Sequence, residues 1–403
     1  MRSAGQPFLF GKWVVYFLFI MSYKPFPLFP FMIRKGIYKM RNLIRQGIEE
    51  LVPYPPGKPI EELERELGIR SPIKLASNEN PIGPSPMAVE AIRQKLGSLN
   101  RYPDGSGYYL KEKLSEKFGV PPEQIILGNG SNEIIELIVR TFLSPGDNVI
   151  QAFPTFLVYE KIVKGAGGTM TSVPLSGSRP DLDAMLREVT SETKVIFLNN
   201  PNNPTGALLK HEEIAAFLKA LPGDIVVALD EAYIEFVTEA GAADGIRLLS
   251  ENPTLIALRT FSKLYGLAGL RIGYGFSSPA LIDYMNRVRQ PFNANLLAQA
   301  AATAALDDIE FVEKTLSIVR EGLRYLYKSL DAMGLEYIPT QTNFFLIRIP
   351  GGGKPLYERL LKKGVIVRAM DSFGLSDYIR ISVGLPDENR RFIEALGRCL
   401  GCF

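Results

Sequence analysis

Six short apolar runs, at 124–127, 148–152, 194–198, 224–229, 254–258 and 271–276, constrain this chain more than any other feature. Several are uniformly apolar instead of alternating, which is the pattern of strands covered on both faces. Stretches with helical spacing, such as 133–142 and 212–220, lie between many of them, and two more precede them at 86–96 and 107–118. Alternating buried strands and amphipathic helices predict an α/β fold: a mixed, mostly parallel sheet sandwiched by helices. A first short strand is expected at 72–76, a long helical region from about 280 to 333, and a smaller strand-and-helix unit over 342–403. The layout expected is one large α/β domain and a smaller α+β domain built from both chain ends.

Composition narrows the chemistry. The chain has 403 residues, enough for two or three core-forming units. It contains a single histidine, His211, which argues against most zinc sites, the Ser-His-Asp triad and the Cys-His dyad. Two cysteines fit a reducing compartment and exclude a disulfide scaffold. Cys399-x-x-Cys402 has no second pair or histidine beside it and reads as a tail, not as a metal site. Residues 1–39 carry six of the 46 basic residues and no acid, so 40 basic residues face 43 acidic ones in the remainder. The body is mildly acidic, and neither a nucleic-acid footprint nor a metal site is expected.

Those first 39 residues are a thing apart. The longest uncharged apolar stretch, Trp13 to Met21, is shorter than the roughly 20 residues a membrane span requires. Lys12 closes it on one side, and Lys24, Pro25, Pro27 and Pro30 on the other. No cleavage motif of a signal peptide follows. The segment reads as an upstream stretch ahead of a working start at Met40, with an interfacial or signal-anchor role as the alternative.

In open α/β sheets ligands collect at the carboxyl ends of strands, and four such ends here lead into chemically loaded loops. Gly128-Asn129-Gly130-Ser131-Asn132 precedes a helix and offers backbone amides and a positive helix end to a phosphate. Asn200-Pro201-Asn202-Asn203-Pro204-Thr205-Gly206 is a rigid turn that fixes amide donors. Asp230-Glu231-Ala232-Tyr233 puts a carboxylate directly after an apolar strand, where it needs a cationic or hydrogen-bonding partner. Thr260-Phe261-Ser262-Lys263 sets a lysine among small and apolar residues, with Arg271 eight positions on. Burial and neighbouring cations make such an amine nucleophilic. Each loop alone has an ordinary explanation: a capped helix, a turn, a salt-bridged carboxylate, a snorkelling lysine. Together they supply what pyridoxal 5'-phosphate demands, namely an amine for its aldehyde, a carboxylate for its ring nitrogen, donors for its phenolic oxygen and a cradle for its phosphate.

At these motifs the sequence resembles the fold-type I, class II pyridoxal-phosphate aminotransferases. Within them it is similar to the histidinol-phosphate aminotransferase family, from about residue 42 to the C-terminus. The resemblance implies Lys263 as the Schiff-base lysine and proton carrier, Asp230 as the ring-nitrogen partner, and Tyr233 and Asn203 as ligands of the ring oxygen. It implies Phe156 as the residue stacked on the ring, where many members have tyrosine, and Gly130, Ser131, Asn132, Thr260, Ser262 and Arg271 around the phosphate. Tyr102 matches a tyrosine that reaches the phosphate from the neighbouring subunit, which implies a homodimer with shared active sites. Tyr54, in Pro53-Tyr54-Pro55-Pro56-Gly57, together with Asn343, Arg368 and Arg380, falls where the family binds its substrate. The implied domains are 40–75 as an N-terminal arm, 76–285 as the cofactor-binding domain and 286–403 as the small domain. The implied reaction moves an amino group between L-glutamate and imidazole-acetol phosphate, giving 2-oxoglutarate and L-histidinol phosphate, in histidine biosynthesis and in the cytoplasm. An aromatic-amino-acid aminotransferase and a threonine-phosphate decarboxylase share most of these motifs and are the nearest alternatives. A non-catalytic regulator and a membrane-tethered binding protein are the more distant ones.

Overall fold

The computed structural model describes residues 44–45, 47–53 and 57–401, so the N-terminal extension, Tyr54 and Cys402 lie outside the described residues. After a two-residue strand, β1 (Ile73–Lys74), seven strands build the main sheet: β2 (Ile125–Gly128), β3 (Asn148–Phe153), β4 (Thr169–Pro174), β5 (Thr193–Asn199), β6 (Val226–Asp230), β7 (Leu255–Thr260) and β8 (Gly273–Phe276). They lie in the order β2-β8-β7-β6-β5-β3-β4. Strands β3 to β7 pair in parallel, and only β8 runs antiparallel to its neighbours β2 and β7. Helices Val158–Ala166, Leu182–Arg187 and His211–Ala220 make the crossovers from β3 to β4, β4 to β5 and β5 to β6.

Both faces of this sheet are dry, as the uniformly apolar runs require. Val195 and Phe197 of β5 pack with Ile134, Ile138 and Tyr159 on one face. The alternate residues Ile196 and Leu198 pack with Met185, Ile214 and Phe217 on the other. Each of these side chains is worth roughly 1.5–3 kcal/mol when fully buried, so the interior of β5 has no room for polar chemistry.

Local signals set the helix ends. Ser85 caps Pro86–Lys95 by accepting from the Ala88 amide at 3.2 Å, with Pro86 in the first turn. The helical region expected over 280–333 is three helices, Pro279–Val288, Leu296–Ala305 and Ile309–Ala332. Its breaks follow from Pro291 and from the side chains of Asn295 and Asp308, which cap the second and third helices. The strand expected at 72–76 is only two residues long, because its sole pairing partner is equally short.

The C-terminal part adds β9 (Tyr337–Ile338), β10 (Phe344–Arg348), β11 (Val365–Ile366), β12 (Arg368–Ala369) and β13 (Tyr378–Ser382). Four of them form an antiparallel sheet in the order β12-β13-β10-β9, while β11 pairs in parallel with β1. No helix among the described residues is long and apolar enough to cross a membrane.

Candidate active site

Strand direction gathers the site. The carboxyl ends of β2, β3, β5, β6 and β7 open on one edge of the main sheet. Because β8 is reversed, its beginning, just after Arg271, lies on the same edge. A cavity of about 230 Å³ opens there, lined by Ser131, Asn132, Phe156, Asn203, Asp230, Tyr233, Thr260, Ser262, Lys263 and Arg271, all of which the sequence singles out.

Asp230 forms the floor. It is 3% exposed at the end of β6. Its Oδ2 accepts from the Tyr159 hydroxyl at 2.7 Å and its Oδ1 from the Ala232 amide at 3.1 Å. Burial pushes the Asp230 carboxyl above the usual carboxylate range, while Tyr159, the Ala232 amide and the charge of Lys263 pull it back. Lys263 is half-buried, with Nζ 5.6 Å from the centre of the Tyr233 ring and 3.4 Å from the Ser77 carbonyl to which it donates.

Beside Arg271 in the cavity wall, Gly130 precedes the 12-residue helix Ser131–Phe142. Its φ of 75° suits glycine, and a Cβ there would run into the Arg271 guanidinium. Gly273 is similarly required, since a Cβ would strike the Ser131 amide at the start of that helix. Arg271 itself adopts φ 58°, outside the strand expected to include it. Its Nη1 donates to Ser262 Oγ at 3.4 Å and to the Ala268 carbonyl at 3.1 Å. Backbone amides, hydroxyls and a guanidinium therefore converge at one place, the donor set that an oxyanion requires.

The amides of the site are locked as well. Asn203 receives Arg380 Nη1 on its Oδ1, and its backbone amide donates to Asn199 Oδ1 at 2.7 Å. With Oδ1 occupied, the amide nitrogen of Asn203 is the group left to donate. Tyr233 accepts from Asn78 Nδ2 at 3.0 Å, and burial raises its hydroxyl above the ordinary tyrosine range against the opposing charge of Arg380. Asn343 reaches the same group from β10's side by donating to the Asn78 carbonyl at 3.2 Å. Arg380 is 6% exposed and pairs across β12 and β13 with Arg368, so the two guanidinium-bearing residues face each other in register. Tyr102 is different: it is 82% exposed, stacked on Phe292 at 4.7 Å, and does not line this cavity.

Four contributors escape the sequence reading. Ser77 and Glu79 line the cavity, and Asn78 bridges Tyr233 to Ser382. The signal was present, since Ser77-Asn78-Glu79-Asn80 follows the short β1 just as the other loops follow their strands. Tyr159 had no such signal, because an aromatic residue on a helix reads as core. Behind the floor, buried Arg259 donates to Glu231 Oε2 at 2.9 Å and to Asp244 Oδ1 at 2.8 Å. That pair ties the end of β6 to β7, the strand that leads to Lys263.

A family model for class I and II aminotransferases matches residues 70–396. Histidinol-phosphate aminotransferase 1 of Nitrosococcus oceani is 49% identical over 355 residues, 88% of this chain and 96% of that protein. Histidinol-phosphate aminotransferase 2 of Pasteurella multocida is 47% identical over 360 residues, 89% of this chain and 99% of that one. Among solved structures, the histidinol-phosphate aminotransferase of Sinorhizobium meliloti in complex with pyridoxal 5'-phosphate superposes with a TM-score of 0.81 at 30% identity, covering 89% of this chain and 98% of that one. The aspartate aminotransferase of Thermus thermophilus with maleate gives 0.77 at 25% identity, over 88% and 99%.

Proposed function

The chain belongs to the class I and II aminotransferases, and on that premise we propose that the cavity at the carboxyl edge of the main sheet holds pyridoxal phosphate. The protein is a histidinol-phosphate transaminase of histidine biosynthesis, moving an amino group between L-glutamate and imidazole-acetol phosphate. The observation that carries the site assignment is convergence: an amine, a buried carboxylate, an amide donor, a phenol and an anion cradle share one cavity.

The residues fit the cofactor. Lys263 would take its aldehyde, Asp230 its ring nitrogen, Asn203 and Tyr233 its phenolic oxygen, and Phe156 one face of its ring. Gly130, Ser131, Asn132, Thr260, Ser262 and Arg271 would take its phosphate. Bound pyridoxal phosphate supplies an electron sink for the charge left when a proton departs from the substrate's Cα. Asp230 favours that sink by keeping positive charge at the ring nitrogen. Lys263 Nζ carries the proton away from Cα and returns it on the other side of the transfer. Arg380 and Arg368 present planar forks that suit a carboxylate or a phosphate, which lets one site take glutamate and a phosphorylated partner in turn. Tyr54, outside the described residues, is assigned to the substrate on the family pattern.

A homodimer is part of the proposal. Tyr102 is exposed and stacked on exposed Phe292, an aromatic pair that a second copy would cover while Tyr102 reaches its partner's phosphate. The division at 285/286 is proposed too, since the main sheet lies wholly before it and the four-stranded sheet wholly after, with β1 and β11 joining the two chain ends. A cytoplasmic location rests on the low cysteine content.

The test uses the full chain with pyridoxal phosphate and follows its visible absorption. Loss of the band on adding L-glutamate or L-histidinol phosphate, and its return with 2-oxoglutarate, is expected. Release of carbon dioxide from threonine phosphate would move the protein to the decarboxylases. No visible band would overturn the cofactor assignment.

A further inference from the structure

Tyr159 belongs to no motif, yet it is the side chain most tightly engaged with the floor of the site. It sits in the helix Val158–Ala166, fully buried. Its ring lies flat on Phe197 of β5, with centroids 4.5 Å apart and planes 4° from parallel. It meets the edge of Phe156 at 5.5 Å and 85°. Aromatic packing therefore holds the ring on two sides, and the hydroxyl has one orientation, 2.7 Å from Asp230 Oδ2.

The direction of that bond is settled by chemistry. Burial, followed by the charge of Asp230, raises the Tyr159 phenol well above its ordinary range, so it keeps its proton and donates. The carboxylate in turn gains a donor inside an apolar wall, where burial alone would drive it toward the neutral acid. The groups facing Asp230 are few: Tyr159 from the helix, the Ala232 amide and Tyr233 from its own loop, and Lys263 from the loop after β7. Of these, Tyr159 alone donates to Oδ2 by a rigid side chain.

We propose that Tyr159 is a positioning residue that orients Asp230 and keeps it ionised, and that it thereby sets the charge at the ring nitrogen of the cofactor. The proposal rests on the reading of this cavity as a pyridoxal-phosphate site. Two oxygens, each with one fixed donor, leave the carboxylate a defined remaining lone pair for the ring nitrogen. If the phenol is lost, the ring packing persists but the carboxylate gains freedom to turn and to take up a proton. A ring nitrogen with less positive charge repels a proton on the lysine-linked nitrogen less, so the pH midpoint of the bound cofactor's visible band moves upward.

The test is Tyr159→Phe in the full chain, alone and combined with Asp230→Asn. The dissociation constant of pyridoxal phosphate is expected to rise about tenfold, the size of one hydrogen bond to a charged group. The midpoint of the visible band rises by about one pH unit, and kcat falls more than KM changes. In the Asp230→Asn background the same substitution has no further effect, because the group it acts through is gone. Wild-type affinity and pH midpoint in Tyr159→Phe would overturn the proposal. So would equal losses in both backgrounds, which would mark a packing role. A wild-type protein without a visible band would overturn the functional reading and this inference together.

Discussion

The main sheet and the small antiparallel sheet serve one site by opposite means, the first lining the cavity and the second bonding to Asn203 in its wall. In the main sheet both faces are covered, so polar side chains cluster where a strand stops: Asp230 closes β6, and Lys263 stands three residues past β7. In the small sheet the polar side chains sit within the strand. Ile379 and Ile381 of β13 face the core, whereas Arg380 and Ser382 point the other way and bind the segment 76–78. One architecture uses ends and the other uses alternation. The lesson is that a sheet buried on both faces can host function only along its edge, while a sheet with one polar face can host it anywhere along a strand.

Five substitutions press on this contrast. The largest effect is expected at an end: Lys263→Ala should cut turnover by about 10³–10⁴-fold, with a melting temperature close to wild type. A single-turnover assay with glutamate checks it, and normal turnover would refute the role of the lysine. Arg259→Met probes the rule from inside a covered strand. It leaves Glu231 buried without its cation and should cost about 3–5 kcal/mol of stability in urea unfolding. A large rise in KM without loss of stability would break the comparison.

Arg380→Lys tests mid-strand function in the small sheet. Replacing the fork beside Asn203 by a point charge should raise KM for the phosphorylated substrate by roughly tenfold or more, about 1.4 kcal/mol. Glu235→Gln tests the region behind the floor, where Oε2 has no hydrogen-bond partner among the described residues and burial pushes the carboxyl up to about 7. A raised carboxyl binds its proton more tightly when folded, so its stabilising contribution is full below about 4.5 and is lost as pH rises through about 7. The Gln variant should therefore lack that decline, about 3 kcal/mol, measured as unfolding free energy against pH. Smallest of all, Arg287→Ala removes an exposed pair with Asp283 and should change stability by about 0.5 kcal/mol or less.

The same contrast explains what could be read beforehand. Strand ends punctuated by Gly, Asn, Pro or Asp announce themselves: Asn203, Asp230 and Lys263 come together in the cavity, with Gly130 against Arg271 of its wall. Edge strand β4 escaped notice because half of it is solvated: Thr169 and Pro174 are exposed and only Val173 is buried, so no apolar run exists. Arg368 and Arg380 carry no local mark that separates them from surface arginines, and only the family pattern picked them out. Tyr159 was invisible for a third reason, since a packed ring hides a functional hydroxyl. His211, expected in the loop or first turn after the Asn-rich turn, is the first residue of its helix.

The reversal of β8 has one more consequence. Lys263 and Arg271 belong to a single connection between two adjacent strands, and both line the same small cavity. That connection fixes the separation of an amine and a guanidinium that serve one site. One residue added or removed between the amine and the guanidinium would shift one against the other. Variation accumulating across relatives of this protein should therefore spare the spacing from 263 to 271, even where the letters between change.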